Sequence, residues 1–495
     1  MASGGGGGGG DFGSGSVTTD DRQKRLKTEP PDRLSALPDS LLLHILSLLP
    51  TNQATQTASL SKRWLRLWHS VPSLTFSQHQ IKTRKFISSI NRTLAQSTCP
   101  EINKFSVRVA YKPKFAPDIS RWIAFAIGRN VQEIDLELKN FDYYKGYDLP
   151  QEIFTGLSIR KLRLSECDIA PVGVISWRLL KNLSIEHSHL SGDVIRKIST
   201  GCPVLESLVL NECHVVDGIT RVEIDSISLS ELVINGYWDP FKVDESLLEV
   251  SAPNVRFLEI TGDWGKKGVK LVNVSSLFDV KLDFVRLMNI GDDRDNYKQE
   301  CDTLFDVVSS LGHVKRLMIG SWCIMVLSML ELKGSPLPRS QRRYLTIDAE
   351  MRKWELPGIA ALLQSSPDVE NLVINLKSSS EIIFSRTFTD PITFVDSYNF
   401  DGEDYWTSRL LWVLKLKSVK ISRFWTSYCR YTFSFVEVLL KHALALEKLV
   451  LDVPSFFRSG DMVCCLDQSF EQVEELLSLP RYSRKAVILF SRQHP

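Results

Sequence analysis

Two hydrophobic rhythms follow one another along the chain, a helical one confined to its front and a strand-like one that recurs to the end. The helical rhythm occupies residues 37–68. Leu41, Leu42, Leu43, Ile45, Leu46, Leu48 and Leu49 follow Pro38-Asp39-Ser40 and stop at Pro50. Asp39 or Ser40 offers an oxygen to the free amides of a helix start, and Pro50 marks the end of that helix. Thr51-Asn52 opens a second, polar helix towards Ala58. Ser61 opens a third through Lys62-Arg63-Trp64-Leu65-Arg66-Leu67-Trp68. Three helices within about forty residues enclose a very small core. The first carries apolar residues on more than one face, and a greasy surface on so small a unit marks a protein contact.

The second rhythm is L-x-x-L-x-L. Residues 205–213 fit L-x-x-L-x-L-x-x-C without departure, and residues 159–167 nearly so. Further copies begin at Ile102, Val131, Leu180, Leu229, Val255, Leu277, Val314, Val369 and Leu446. The central apolar positions Phe105, Ile134, Leu162, Leu183, Leu208, Leu232, Leu258 and Val280 are separated by 29, 28, 21, 25, 24, 26 and 22 residues. That is close to the leucine-rich-repeat period of roughly 20–29 residues. Leu317 follows after 37, which places an inserted loop such as 291–300, and residues 343–347 read as a degenerate copy. Each unit has one short strand whose inward face it cannot bury alone. The predicted fold is therefore α/β: a curved solenoid with parallel strands inside and short helices or loops, such as 193–198, outside. Pro203, Pro253 and Pro367 each stop what precedes a new strand.

Residues 32–50 and 58–68, with L-P-D, I-L-S-x-L-P and L-S-K-R-W in that order, resemble the two halves of an F-box of the large plant families. Residues 201–210 resemble the leucine-rich repeats of the same plant F-box proteins. The stretch from 406 on is similar to their FBD-type tail, with helices at 435–440 and 471–479 and strands at 446–451 and 487–490. The organisation expected is a glycine-rich disordered tail over 1–31, an F-box over 32–76, a solenoid over 77–405 and an FBD-like region over 406–495 that completes the solenoid. The resemblance implies a non-catalytic substrate-receptor subunit of an SCF-type cullin-RING ubiquitin ligase. The F-box would hold the Skp-type adaptor, and through it cullin and the RING protein, while the repeats hold a protein substrate. Adaptor contacts carried over are Leu37, Pro38, Leu41, Ile45, Leu46, Leu48, Leu49, Leu60, Trp64, Leu67 and Trp68. Some of these, Trp64 and Leu46 foremost, have packing of the helices as their alternative role. An F-box scaffold or transcription-associated protein acting without ubiquitylation is the other reading.

Composition changes this picture little. The net charge of +2 over 495 residues gives no electrostatic case for nucleic acid or a membrane surface. Nine cysteines with no C-x-x-C pair, behind a glycine-rich start unlike a secretory signal, indicate free thiols in a reducing, intracellular compartment, nucleus or cytoplasm. The longest apolar run, residues 322–330, is far short of the roughly 20 that span a bilayer. Residues 22–27 read either as a nuclear-import patch or as solvated tail. No phosphate loop, nucleophile elbow or H-E-x-x-H pair is present, and no cofactor is implied. Cys167 and Cys213, with His187 and His189 on one face of a strand between them, form a zinc candidate. A cysteine buried where the chain leaves each strand suits the motif better. Asp292-Asp293-Arg294-Asp295 lacks the glycine and glutamate of a calcium loop. Vicinal Cys464-Cys465 carries no disulfide in a reducing cell. Trp238, Trp264, Trp322 and Trp354 read as core filling or as a recognition surface.

Overall fold

The apolar positions of the repeat motif become ladders that run the length of the molecule. The computed structural model describes residues 34, 36–140, 146–215, 221–223, 226–236, 248–263, 269–285, 297–377, 405–406, 415–424, 430–453, 474 and 476–492. The 22–27 patch, the 292–295 charge run, Trp238, Trp264 and Cys464-Cys465 lie outside them. Three helices come first, α1 (Asp39–Leu48), α2 (Thr51–Gln56) and α3 (Lys62–His69). Next are β1 (Ser73–Ser77), α4 (Thr83–Gln96), β2 (Lys104–Ala110), α5 (Ala116–Ile127) and β3 (Glu133–Lys139). The middle holds β4 (Lys161–Ser165), β5 (Asn182–Glu186), α6 (Gly192–Gly201), β6 (Ser207–Asn211), β7 (Glu231–Gly236), β8 (Phe257–Asp263) and β9 (Asp279–Val285). It continues through α7 (Tyr297–Ser310), β10 (Arg316–Ile319), α8 (Ser321–Leu332), β11 (Tyr344–Ala349), α9 (Leu356–Gln364) and β12 (Asn371–Leu376). The chain closes with β13 (Ser418–Ser422), α10 (Arg430–His442), β14 (Lys448–Val453) and β15 (Val487–Arg492).

Among the described residues these fifteen strands form one sheet in chain order, every neighbouring pair parallel. The central apolar residues of the motif face each other across successive strands. Phe105 pairs with Ile134, Ile134 with Leu162, Leu162 with Leu183 and Leu183 with Leu208. A one-residue slip would turn a whole strand's apolar set to solvent, so the shared core holds the register. All of these side chains are buried in one continuous cluster. The degenerate copy at 343–347 is β11 and keeps register with both neighbours. Residues 297–300, expected in a loop, begin α7 instead. The run 322–330 is buried end to end in α8, a helix enclosed by α7 and α9. There Gly358 lets α9 come so close that an added Cβ would lie 2.1 Å from the Ile324 carbonyl.

Three strands carry no copy in the motif series: β15, which covers the strand expected at 487–490, and β1 and β13, which no expectation covers. β1 alternates serine and threonine with Leu74 and Phe76, and it lies inside the segment that resembles the F-box. β13, with Val419 and Ile421 inward, follows β12 after far more than one repeat, so the period gives no cue to it. A second departure occurs where strands end. Glu166, His187 and Glu212 take left-handed φ values of 59°, 47° and 48° directly after β4, β5 and β6. Each donates its N–H to a carbonyl at the end of the next strand, that of Glu186, Asn211 and Asn235 respectively, at 2.9–3.0 Å. That turn sends the chain into a narrow second sheet of Tyr147–Asp148, Cys167–Asp168, His189–Leu190 and His214–Val215. His187 and His189 therefore do not share a strand face, contrary to the sequence-based expectation.

The degenerate repeat hides an anomaly. Arg342 stands where other repeats place a buried aliphatic residue such as Val314 or Val369, and it is 1% exposed. Its Nη1 donates to Ser366 Oγ at 3.2 Å and its Nη2 to the Val308 carbonyl at 3.4 Å, while Nε has no acceptor. Burial without a carboxylate pushes its pKa down to about 10. A buried ion of this kind is commonly matched or bettered by an apolar side chain of similar volume. Arg342→Leu should thus raise the thermal midpoint, by the equivalent of about 1–4 kcal/mol. Calorimetry checks this, and a lowered midpoint would show the guanidinium to be structural.

Glu355 is likewise fully buried, at the turn before α9. Burial lifts its carboxyl to about 7, although it accepts hydrogen bonds from the Ser321 hydroxyl and the Arg352 N–H. The fold thus holds the proton more tightly than the open chain does. Its contribution is complete below about pH 4.5 and is lost as pH rises through about 7. Glu355→Gln should remove that decline across this range, read as the thermal midpoint against pH. Parallel profiles for the two proteins would contradict it.

Candidate functional site

α1 has two apolar stripes, and only one of them is used inside the protein. Leu42 and Leu46, one turn apart, are 0% exposed, and half-buried Leu49 continues their line. They meet Ala54, Trp64, Leu67, Trp68 and Val71 in a core separate from that of the solenoid. The other stripe, Leu41, Ile45 and Leu48, follows the same spacing about 100° around the helix. Its members are 48%, 36% and 73% exposed. Leu60, just past the turn that ends α2, is 64% exposed. Pro38 is exposed and Leu37 half-buried against the small core.

The carried-over contact residues thus separate into two groups. Leu46, Trp64, Leu67 and Trp68 are buried in the packing of the three helices. Leu41, Ile45, Leu48, Leu60 and Pro38 remain available to a partner, with Leu37 and Leu49 at the margin. The expected cap of α1 also differs. Pro38 occupies the cap position without a side-chain acceptor, and Asp39 is the first helical residue. Its carboxylate accepts from Arg63 Nε of α3 at 2.8 Å, and Arg63 Nη2 also donates to the Leu37 carbonyl at 2.6 Å. The start of α1 is therefore pinned by α3. Ser61 does cap α3, accepting from the Trp64 N–H at 3.4 Å.

The small bundle is fastened to the solenoid on its other side. Thr51 Oγ1 accepts from the Thr75 N–H of β1 at 2.7 Å, which satisfies a donor on the free edge of the sheet. The Thr98 N–H donates to the His69 carbonyl at 2.9 Å, and the Asn103 N–H to that of Pro72 at 2.8 Å. The bundle thereby caps the sheet and still presents the outer stripe of α1 to solvent.

The solvent side of the large sheet is lined mainly with cross-strand ion pairs. Arg163 of β4 reaches Asp135 of β3 at 3.0 Å and Glu186 of β5 at 2.6 Å. Burial disfavours the Glu186 carboxylate, yet the hydrogen bonds from Arg163 and Ser184 hold its pKa below the ordinary value. Lys281 meets Glu259 at 2.8 Å, and Lys420 meets Asp452 at 2.7 Å. Of the tryptophans, Trp322 is buried and Trp354 packs against the core. Cys167 is buried and its Sγ donates to the Ser165 carbonyl, while that of Cys213 donates to the Ile185 carbonyl at 3.3 Å. His187 and His189 pair instead with Glu212 and Asp168. Burial pushes the Cys202 and Cys213 thiols up to about 12, so neither is poised as a thiolate. Among the described residues, no three His, Cys, Asp or Glu side chains are grouped to hold a metal ion, and no helix is long and apolar enough to cross a membrane.

Comparison with known proteins agrees with this two-part architecture. The F-box domain model matches residues 34–76, and the model described as "At1g61320/AtMIF1, LRR domain" matches residues 95–481. The chain is 28% identical to "Putative F-box/LRR-repeat protein At3g28410" of Arabidopsis thaliana, over 90% of this chain and 91% of that one. It is 27% identical to "F-box/LRR-repeat protein At3g03360" of the same plant, over 94% and 92%. A third Arabidopsis relative, "F-box protein At5g03100", is 32% identical over 62% of this chain and 94% of its own. A helical front with its own core, followed by a continuous stack of parallel strands, is the form these matches describe: the chain belongs to the plant family of F-box proteins that carry a leucine-rich-repeat domain.

Proposed function

We propose that this protein is the substrate receptor of an SCF-type cullin-RING ubiquitin ligase. F-box domains in general bind a Skp-type adaptor, and proteins with this pair of domains are typically non-catalytic. The observation that carries the reading is the outer stripe of α1. Three large aliphatic side chains in a row stay in water although the same helix fills a core with its other stripe. Solvent-exposed apolar rows of this kind are docking surfaces. The adaptor seats on Leu41, Ile45 and Leu48, with Leu37, Pro38, Leu49 and Leu60 around them, and cullin and the RING protein follow through it. The solenoid holds the substrate.

The contribution to ubiquitin transfer is geometric. The bundle is tied to β1 by hydrogen bonds and shares no flexible linker with it, so a substrate on the sheet is held at a fixed offset from the adaptor. Fixing two reactants near one another raises their effective concentration without any bond chemistry by the scaffold.

Leu41→Glu with Ile45→Glu should abolish co-purification of a Skp-type adaptor, while circular dichroism and the thermal midpoint stay as in the unaltered protein. Leu46→Ala should act differently: it opens a void in the small core and costs about 2–5 kcal/mol of local stability. Undiminished adaptor binding by the double variant would refute the proposed docking face.

A further inference from the structure

On the solvent side of the large sheet, one patch departs from the pattern of close ion pairs. Asp279, Arg316 and Tyr344 stand opposite one another at the starts of β9, β10 and β11. Phe278 and Lys315 precede the first two in the chain, in a second row joined by the Lys315 N–H to Phe278 carbonyl bond. Phe278 is 41% and Tyr344 40% exposed, although both belong to the middle of the sheet. The Arg316 guanidinium lies between them, 4.7 Å from the Tyr344 ring centre and 5.8 Å from that of Phe278. Its nearest carboxylate, Asp279, is 3.8 Å away at the limit of an ion pair.

The cations around it are also weakly matched. Arg343 reaches Glu370 only at 4.0 Å, and Glu370 is taken by Lys417 at 2.9 Å. Lys315 donates to the neutral Gln341 amide at 2.9 Å. Arg256, exposed one strand before Phe278, has no acidic partner among the described residues. Arg316 thus has one carboxylate, held at a distance, and three further cations around it have no close acidic partner of their own, beside two open aromatic faces. By contrast Arg163, Lys281 and Lys420 each have a carboxylate within 3.0 Å.

We infer that this patch is the primary anchor for substrate and that it takes an extended protein segment carrying an aromatic or large aliphatic side chain beside an Asp or Glu. This deepens the substrate-receptor reading and rests on it. The apolar side chain lies against Phe278 and Tyr344, and the carboxylate replaces distant Asp279 as the partner of Arg316. A guanidinium already stacked on aromatic rings loses little freedom when it accepts such a partner. Arginine and tyrosine in this setting are the residue types that dominate binding at protein interfaces. Neighbouring strands are about 4.8 Å apart, so three or four residues of an extended segment span the patch. With a net charge of only +2 on the chain and a carboxylate in its midst, the patch suits a short acidic peptide better than a polyanion such as RNA.

The test is selection of a displayed random nonapeptide library on the intact chain, followed by affinity measurement with a labelled enriched peptide. The enriched sequences should place Phe, Tyr, Trp or Leu within two residues of Asp or Glu. Binding should weaken at least about tenfold in Arg316→Ala and in Tyr344→Ala, and should fall with added salt. Arg316→Glu should prefer the same peptide with its acidic residue changed to Lys, a swap that general misfolding would not produce. Enrichment no better than on bare support, peptides without a carboxylate, unchanged affinity in both alanine variants, or displacement by a twelve-nucleotide RNA at lower concentration than by unlabelled peptide would each overturn the inference. The Leu41→Glu, Ile45→Glu protein separates this from the ligase reading: it should keep peptide binding while losing the adaptor. An unaltered chain that binds peptide but no adaptor would sink the ligase reading alone.

Discussion

No single repeat of this protein can hide its own apolar face, and that constraint organises everything else. A strand of five or so residues with two inward side chains gains its burial only from the strands before and after it. Stacking them in parallel makes one ladder from Leu74 to Ile488, with every inward position answered by its neighbour. The same stacking exposes a free edge at the first strand. The small helical bundle answers that edge through Thr51, and its position follows from the need to cap the stack.

A cap that is itself a tiny bundle has little volume to spare. Its core takes one stripe of α1 and both tryptophans of α3, and the second stripe has nowhere inside to go. The outward leucines are thus a consequence of scale as well as of sequence. The proposed docking face and the solenoid core draw on the same kind of residue. What separates them is whether the protein itself provides enough neighbours.

The repeat architecture was open to reading from sequence because strand alternation and a 20–29-residue period are strong signals together. The two stripes of α1 were not, since Leu41 and Leu42, or Ile45 and Leu46, are chemically alike and only the helix rotation distinguishes them. β13 fits the motif locally, yet without a regular interval nothing singled it out. Arg342 at a buried aliphatic position disguised the start of its own repeat. His187 failed for another reason: a left-handed residue after each of β4, β5 and β6 breaks the alternation, and no glycine or asparagine marks it there. The patch joins Phe278, just before β9, to Arg316 of β10 and Tyr344 of β11, with α7 and α8 between them in the chain, so only the register brings it together.

Hydrogen–deuterium exchange of the intact chain, with and without a Skp-type adaptor, addresses the division of labour most directly. The account requires slower exchange over residues 37–60 when the adaptor is present, with the strands β4 to β12 unchanged. Protection that falls on those strands and spares α1 would contradict it.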